Sequence, residues 1–562
     1  MTNFTPLQKN KQQKSNLYYY LLAILLIFHL TANIIWIKLN QNPVDFDPVG
    51  HTLISINMAN YIKMNLLDFN LGDFLKISSG YPVFTHIVGA AIVLIFGVDW
   101  KLIQFSGTIF FLLTILVIFL YIKEITNKKS TAFFTTFFYS FLISIIQYSR
   151  LHMLDIPLTF FIFLTMYFWE RLKKTGKTRF IFLSAISLGL AQATKWHAII
   201  FLLVPILSLI IHIKRTHLFV NKKIIWSSIL SFILFIVISC PWYIYNFSNF
   251  IRLGVVNYRG EADDPQNLLS WNNIISYPWL VINFQIQFIG FVFLIVSLFF
   301  NRFRLKKYLI VPLLILGSTY ILFTFFVINK NIRVIFPLMP LVALFIALFF
   351  EKNLIKDKNI LVTISKYFIN GVLIGFILVS FFILSFGWPW TPNKKISMKL
   401  PLLGWTDLIY LDTDPVNLIY SKESIAYQQI INQLLIQAET KESGLNLVNA
   451  VNLPYFHQGH LPLMIYQKYS NDINYANNEI LNKKLLLNDV SKFIQQGAHF
   501  EDIDAFVTVE KNPVLLQSQA DQLYEPVKKI HQYLYSQNNI YFYSVAYFPM
   551  PANDRLVLFI KR

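Results

Sequence analysis

Residues 17–38, LYYYLLAILLIFHLTANIIWIK, form an apolar run of membrane-spanning length. A helix needs about 20 apolar residues to cross the hydrocarbon core of a bilayer. The run follows Lys9, Lys11 and Lys14, is longer than the apolar part of a signal peptide, and lacks an evident small-x-small cleavage site. It therefore predicts an uncleaved first transmembrane helix whose N-terminus is cytoplasmic.

The composition of the whole chain is that of a membrane protein. Of its 562 residues, 55% are hydrophobic and only 14% are charged, whereas soluble domains have about 45–50% apolar and about 25% charged residues. The net charge of +19 comes from Lys and Arg in short gaps between apolar runs, a distribution typical of cytoplasmic loops. It argues against a basic nucleic-acid-binding face. The single cysteine, Cys240, excludes an intrachain disulfide.

Further apolar runs predict a helical polytopic protein. Basic loops at 123–129, 171–179, 214–223, 302–307 and 352–358 are expected on the cytoplasmic side. The predicted spans are 17–38, 102–122, 131–148, 156–172, 180–195, 196–212, 224–247, 279–300, 308–328, 333–350 and 360–388.

Segment 82–97 is short and opens at Pro82. With the N-terminus inside, it must be a re-entrant or surface helix, unless a further crossing exists. We therefore expect about 11–13 transmembrane helices. Eleven crossings place the C-terminus on the outer face.

From about Thr391 the composition shifts to Asn, Gln, Asp and Lys, and no later run is long enough to span. The sequence thus predicts a transmembrane domain over 1–390 and a soluble extracytoplasmic α/β domain over 391–562. Within the second domain the patterns favour one helix and three strands. The helix is expected at 423–437 and the strands at 505–509, 540–548 and 556–560.

Two outer segments carry carboxylates that could act as a general base. Asp45 and Asp47 follow the first span, and Asp155 precedes the span at 156–172. Ionisable groups at the membrane edge are costly and are therefore functional candidates. Either aspartate of the first pair could instead cap a helix. Asp155 could simply pair with Arg150.

Cations occupy the same predicted face. Lys195 lies where two spans turn, and it could hold a phosphate or snorkel as an anchor. Arg259 and Glu261 lie in the large outer loop, and Lys330 and Arg333 precede the span at 333–350. Such cations can stabilise a lipid phosphate, or they can be solvated loop charges.

The order of these clusters resembles the GT-C fold membrane glycosyltransferases, in particular the protein O-mannosyltransferases and the lipid A aminoarabinose transferases. The resemblance covers about residues 17–350. Two stretches depart from the family pattern. Asp47 is followed by Pro48 where members often have Asp-Glu, and Pro82 is followed by Val83 rather than a second proline. The stretches that carry the resemblance are Asp47, Ser79-Gly-Tyr81-Pro82, Ser149-Arg150-Leu-His152-Met-Leu-Asp155, Gly189-Leu-Ala-Gln-Ala-Thr-Lys195, Pro241-Trp-Tyr243 and Arg333-Val-Ile-Phe-Pro337-Leu-Met-Pro340.

The resemblance implies an inverting transfer of a sugar from a polyprenyl-phosphate donor to an acceptor hydroxyl on the outer face. Asp47 would be the base, with Asp45 as its rival and Asp155 orienting the base or acceptor. Members differ in their need for a divalent metal, which the carboxylates with His51 or His152 could hold. The other implied roles are phosphate binding for Lys195, Arg333, Arg259 and Lys330, and acceptor contact or support for Arg150, His152, Tyr81 and Glu261.

Two other classes of protein are compatible with part of the pattern. A transporter or flippase of lipid-linked substrates would be expected to show inverted repeats and helices broken at midplane, and the sequence has no clear pairing of halves. A membrane-anchored scaffold whose C-terminal domain binds a partner would leave Arg150, Asp155 and Lys195 without a role. The acceptor class, whether lipid, glycan or protein, is not encoded in the motifs. A prokaryotic inner membrane is the expected location.

Overall fold

The structure is a computed structural model. It describes residues 6–43, 46–216, 222–259, 267–300, 306–354, 359–388, 396–400, 404–409, 425, 427–439, 445–449, 451, 460–469, 485–488, 503–510, 524–536, 539, 541–550 and 554–561.

The first half of the chain is helical, because its apolar residues can satisfy their backbone groups in a bilayer only within helices. The helices of this half are α1 Pro6–Leu39, α2 Phe46–Met64, α3 Leu71–Lys76, α4 Phe84–Phe96, α5 Trp100–Thr126, α6 Lys129–Ser140, α7 Ile143–Tyr148, α8 Asp155–Thr175, α9 Arg179–Thr194, α10 Ala198–Arg215, α11 Lys222–Tyr245 and α12 Phe247–Arg259.

The next segment continues the helical bundle and includes a π-helix and two 3-10 helices. A π-helix, Ile282–Ile286, separates two helices, and a 3-10 helix, Ile332–Leu338, precedes another. Gln287, which follows the π-helix, has a positive φ of 56°. The helices here are α13 Trp271–Val281, α14 Gln287–Phe300, α15 Ile310–Phe326, α16 Met339–Asn353 and α17 Ile360–Phe386, with a further short 3-10 turn at Lys307–Leu309.

Eight helical segments of the described chain are long and apolar enough to cross a membrane. This confirms the helical polytopic fold class, and the chain is an integral multi-pass membrane protein. The spans are Asn16–Leu39, Trp100–Thr126, Ala198–Arg215, Lys222–Tyr245, Trp271–Phe293, Lys307–Phe326, Ile332–Asn353 and Ile360–Phe386.

The single span expected at 131–148 is wrong. The helix stops at Ser140, Leu142 is extended (φ −65°, ψ 133°), and α7 restarts at Ile143. Almost every residue of this stretch is buried, so the break lies inside protein, where irregular backbone is tolerated at membrane depth.

Segment 82–97 forms α4, which packs along α2. Its 13 residues reach about 20 Å at 1.5 Å per residue, less than the ~30 Å hydrocarbon core. By itself α4 is therefore too short to cross. Gly89 permits the close approach, because a Cβ there would lie 2.4 Å from the Ser55 hydroxyl.

The described residues of the C-terminal part form three helices and seven strands. A five-stranded mixed sheet has the order β4-β3-β5-β7-β6, with β3 parallel to β4 and β5, and β7 antiparallel to β5 and β6. The elements are β1 Ile396–Leu400, β2 Gly404–Ile409, α18 Tyr427–Glu439, β3 Leu445–Asn449, α19 His460–Tyr469, β4 Leu485–Asn488, β5 Ala505–Val509, α20 Tyr524–Leu534, β6 Phe542–Met550 and β7 Asp554–Lys561.

Alternate residues of the central strands face opposite sides of this sheet. Val507 packs in the same apolar cluster as Ile430 of α18, whereas Phe506 packs with Ile530 of α20. The strands expected at 505–509, 540–548 and 556–560 are confirmed as β5, β6 and β7. The helix expected at 423–437 corresponds to α18, and residues 423 and 424 lie outside the described chain. The domain boundary near residue 390 stays a prediction.

The C-terminal part contacts the segment that leads into α2. The Ile425 N–H donates to Asn42 Oδ1 at 3.2 Å, and His460 Nε2 lies 3.2 Å from the Pro43 carbonyl. Leu463 of α19 belongs to the same buried cluster as Val49 of α2. The fold thus supports the start of α2 from both the bundle and the C-terminal part.

Candidate active site

An ion pair joins the start of α2 to the 3-10 helix before α16. Asp47 lies in the first turn of α2, where Pro48 favours a helix start, and its carboxylate accepts a hydrogen bond from Arg333 Nη1. Asn331 fixes the arginine, since its Oδ1 accepts from the Arg333 N–H at 3.0 Å and from Nε at 3.3 Å. Side-chain exposures of 41% for Asp47 and 23% for Arg333 leave this pair open to a ligand.

A second, more deeply buried pair joins α8 to the end of α9. Lys195 Nζ donates to Asp155 Oδ1 at 2.7 Å, and the side chains are 12% and 1% exposed. Asp155 lies in the first turn of α8, where the positive end of the helix dipole favours a carboxylate. Among the described residues Oδ2 of Asp155 has no hydrogen-bond partner.

The two pairs form one electrostatic cluster with His51 and Tyr81. Burial opposes ionisation of Asp47, but Arg333, His51 and Lys195 together hold the pKa of this carboxyl below its usual value. Burial lowers the pKa of His51 to about 4, against a smaller opposing effect of Asp47. Burial, with the Asp47 charge, raises the pKa of Tyr81 to about 12. At neutral pH the cluster therefore holds an ionised Asp47 beside a neutral imidazole and a neutral phenol.

Arg150 does not pair with Asp155, so that reading of the 150–155 stretch is wrong. Its Nε donates to Asn33 Oδ1 at 3.1 Å and its Nη2 donates to Ser385 Oγ at 2.7 Å. The guanidinium also lies over the Trp36 ring, 5.2 Å from its centroid. Arg150 is 0% exposed, and it joins α1 to the end of α17 and leaves Asp155 to Lys195.

Three histidines, His51, His86 and His152, are buried and take part in polar contacts. His51 Nδ1 lies 2.9 Å from His86 Nε2. His152 lies 2.7 Å from Ser106 Oγ through Nδ1 and 3.0 Å from Ser55 Oγ through Nε2. Sequence reasoning missed His86, although a histidine inside the apolar segment 82–97 is the kind of costly polar group that marks a site.

The remaining sequence candidates lie apart from the cluster or outside the described residues. Lys330 Nζ donates to backbone carbonyls near the end of α15, including those of Phe323 at 3.0 Å and Thr324 at 3.3 Å. This lysine therefore caps a helix C-terminus. Asp45, Glu261 and the Arg259 side chain lie outside the described residues.

The described chain contains no group of three or more His, Cys, Asp or Glu side chains placed to hold a metal ion. The two carboxylates are instead occupied by cations. The divalent metal that the family resemblance leaves open thus has no preformed site among these residues.

Comparisons with known proteins show what the chain is similar to. The dolichyl-phosphate-mannose-protein mannosyltransferase family matches residues 45–257, a range that holds Asp47, Asp155 and Lys195 but not Arg333. No curated protein matches the sequence.

Among solved structures, ArnT from Cupriavidus metallidurans in the apo state shares 12% identity and a TM-score of 0.51, with 97% of this chain and 98% of that chain covered. ArnT bound to undecaprenyl phosphate shares 13% identity and a TM-score of 0.51, with 95% and 97% covered. The S. cerevisiae protein O-mannosyltransferase Pmt1-Pmt2 complex bound to the sugar donor gives 16% identity and a TM-score of 0.31, with 42% and 34% covered.

The family match and the fold together indicate an enzyme, a multi-pass membrane glycosyltransferase of the GT-C type. Within that class, the fold of this chain is similar to that of ArnT over nearly the whole length of both proteins.

Proposed function

We propose that the protein transfers a sugar from a polyprenyl-phosphate donor to an acceptor hydroxyl at the outer face of the membrane, with Asp47 as the general base. The observation that carries this proposal is the cluster of two carboxylates and two cations, Asp47 with Arg333 and Asp155 with Lys195. The similarity of the fold to ArnT, one structure of which binds undecaprenyl phosphate, supports the choice of donor.

The cations match the leaving group of this reaction. Lys195 uses one of its three N–H donors on Asp155, and Arg333 uses Nη1 on Asp47. A donor phosphate that entered the cluster would compete with the carboxylates for these cations. Preorganised cations on a leaving phosphate provide electrostatic stabilisation, which is often the largest contribution to catalysis.

This competition also activates the base. While Asp47 is paired with Arg333 its pKa is held low, and a carboxylate of low pKa is a weak base. When the phosphate draws Arg333 away, the pKa of Asp47 rises and the carboxylate becomes a better proton acceptor. Asp47 therefore becomes a stronger base only after the donor, which carries the leaving phosphate, has bound.

The charges balance through the step. The acceptor oxygen bonds to the anomeric carbon from the face opposite the phosphate, and the bond from that carbon to the phosphate oxygen breaks. The acceptor proton goes to Asp47, so the carboxylate becomes neutral while the phosphate gains one negative charge. The cluster thus becomes more positive as the leaving group becomes more negative.

The topology proposed for this reaction places the N-terminus in the cytoplasm and the C-terminal α/β part outside, in a prokaryotic inner membrane. The contact of Leu463 in α19 with the cluster around Val49 of α2 supports an acceptor side that is formed in part by the C-terminal part. A lipid, glycan or protein acceptor would approach from this side.

The test uses the purified full chain in lipid with a panel of polyprenyl-phosphate sugars. Release of polyprenyl phosphate is compared for wild type, Asp47→Asn and the matched control Asp73→Asn. Asp73 lies in the same outer segment in an exposed pair with Lys76. We expect Asp47→Asn to lose about 10²–10⁴-fold and the control to retain wild-type turnover.

Equal turnover in wild type and Asp47→Asn would remove Asp47 as the base and leave Asp45 and Asp155 as the candidates. Absence of turnover with every donor, in a protein that melts normally, would contradict the transferase proposal and favour a transporter.

A further inference from the structure

A hydrogen-bonded chain, hereafter the histidine chain, is formed by His51, His86 and Ser78. Its His51 end belongs to the catalytic cluster, the name used here for the ion pairs Asp47–Arg333 and Asp155–Lys195 with His51 and Tyr81. His51 Nδ1 lies 2.9 Å from His86 Nε2, and His86 Nδ1 lies 3.1 Å from Ser78 Oγ. Ser78 Oγ lies 2.6 Å from the Tyr81 carbonyl. The three side chains are between 0% and 4% exposed, so water has little access to compete for these bonds.

The far end of the chain dictates where each proton lies. A serine hydroxyl has one hydrogen, and at 2.6 Å the Tyr81 carbonyl must receive it. Ser78 Oγ therefore accepts a hydrogen bond from His86 Nδ1–H. His86 is fully buried with no carboxylate bonded to it, so its ring is neutral, and its Nε2 carries a lone pair.

The tautomer of His86 determines that of His51. Because His86 Nε2 is the acceptor of the hydrogen bond between the two rings, His51 Nδ1 carries the hydrogen and donates it. A neutral imidazole has only one N–H, and burial keeps His51 neutral near pH 7, with a pKa of about 4. Nε2 of His51 is therefore an acceptor that cannot donate.

The hydrogen bond of the His51 ring runs through Nδ1 to His86, and Nε2 has no protein hydrogen-bond partner among the described residues. His51 is on α2 one helical turn after Asp47, a spacing at which side chains share a face. The Tyr81 ring lies edge-on to the imidazole, with 5.2 Å between the centroids. The charged groups that act on His51 are Asp47, Arg333, Asp155 and Lys195, which are those of the catalytic cluster.

We propose that His51 is a substrate-binding residue whose Nε2 accepts a hydrogen bond from a hydroxyl group of the bound sugar or acceptor. This inference rests on the proposed function. A nitrogen that can only accept binds a hydroxyl donor and cannot donate a hydrogen bond to a phosphate oxygen. The proposed role of His51 therefore differs from that of Lys195 and Arg333. The histidine chain supplies specificity because it holds one tautomer in place before substrate arrives.

Two substitutions separate this role from simple packing. In His51→Asn the side-chain amide can replace Nδ1–H as the donor to His86, but no atom occupies the Nε2 position. In His51→Gln the amide reaches the Nε2 position, where its oxygen can accept. If His51 only held α2 against α4, the asparagine variant would keep its activity.

The experiment measures polyprenyl phosphate release, with an active polyprenyl-phosphate sugar from the panel, for wild type and both variants, and thermal unfolding in the same detergent. We expect kcat/KM to fall about 10- to 100-fold in His51→Asn, since a substrate hydroxyl is left unpaired, with partial recovery in His51→Gln. Both variants should melt like wild type. The absence of wild-type turnover would instead contradict the proposed function itself.

Two reactions, hydrolysis of the donor by water and transfer to an added acceptor, show whether the hydroxyl belongs to the donor sugar or to the acceptor. With water as the only acceptor, a loss in His51→Asn assigns the hydroxyl to the donor sugar, whereas a loss confined to transfer assigns it to the acceptor. In the donor case, one donor analogue with a single hydroxyl replaced by hydrogen should react equally with wild type and His51→Asn.

Three outcomes would overturn the proposal. The first is a His51→Asn activity within about twofold of wild type, because one hydrogen bond to an otherwise unpaired hydroxyl is worth more. The second is an equal loss in both variants with normal melting. The third is a lowered melting temperature in both variants, which would show that the histidine chain serves only to hold α2 against α4.

Discussion

The buried pair Asp155–Lys195 permits a quantitative prediction of stability. Lys195→Met removes the ammonium that lies 2.7 Å from Asp155 Oδ1, while Asp155 stays 1% exposed with its other oxygen already unpartnered. Asp155→Asn makes the complementary change. The double variant removes both charges, and α8 and α9 remain packed through their apolar residues.

The magnitude follows from the distance and the burial. At 2.7 Å and an effective dielectric constant of about 20, the attraction is about 6 kcal/mol, and it is largely offset by the cost of burying two ions. Removing one partner leaves that cost uncompensated. Each single variant should therefore lose about 3–5 kcal/mol of unfolding free energy. The double variant should lose less than either.

The assay is denaturant unfolding in detergent micelles for wild type, both single variants and the double variant, with polyprenyl phosphate release measured in parallel. The coupling energy between the sites should then be at least as large as the larger single loss, about 3–5 kcal/mol. Turnover should stay low in all three variants, because stability recovers in the double variant but the charges do not. Single variants within about 0.5 kcal/mol of wild type would show that water solvates the pair and would refute the reasoning.

Three further changes test other parts of the structure. Arg333→Gln should move the acid limb of kcat/KM to higher pH, because Asp47 loses the charge that holds its pKa low and must then be ionised against its burial. Gly107→Ala should destabilise by about 1–3 kcal/mol in thermal unfolding, because the new Cβ would lie 2.1 Å from the Leu151 carbonyl oxygen. Gln285→Leu should stabilise by about 1 kcal/mol, since neither amide atom of this 2% exposed side chain has a partner in the described chain.

Each of these changes has a matched control. Arg252→Gln should leave the pH profile unmoved, because Arg252 is not among the groups that act on Asp47. Gly371→Ala should be tolerated, since nothing lies within 4 Å of its added Cβ. Gln192→Leu should destabilise, because its Nε2 donates to the Trp196 carbonyl at 2.8 Å and to the Tyr243 hydroxyl at 2.7 Å.

The results that would contradict them are equally specific. If the acid limb of the kcat/KM profile stayed at the same pH in Arg333→Gln, ionisation of Asp47 would not be the cause of that limb. Wild-type stability of Gly107→Ala would mean that α5 can move away from residue 151. A destabilised Gln285→Leu would mean that the amide is satisfied by water or ligand.

The apolar runs and basic loops were readable in advance because they depend on local composition. Residues 17–38 and 360–388 are long and apolar enough to span, whatever their neighbours. The strands at 505–509 and 556–560 were predictable for the same reason, since a short β-branched and aromatic run favours a buried strand. The motif around Asp155 and Lys195 likewise pointed to the site, because charge at the membrane edge is costly.

Pairing, in contrast, depended on contacts between residues far apart in the chain. Asp47 and Arg333 are 286 positions apart, and no local pattern states that one will neutralise the other. Local reasoning offered Arg150 as a possible partner of Asp155, but Arg150 instead bonds to Asn33 and Ser385, and Lys195 pairs with the carboxylate. A charge at membrane depth takes whichever partner the packed helices bring within about 3 Å, so composition reveals that a partner must exist, whereas only the packing selects it.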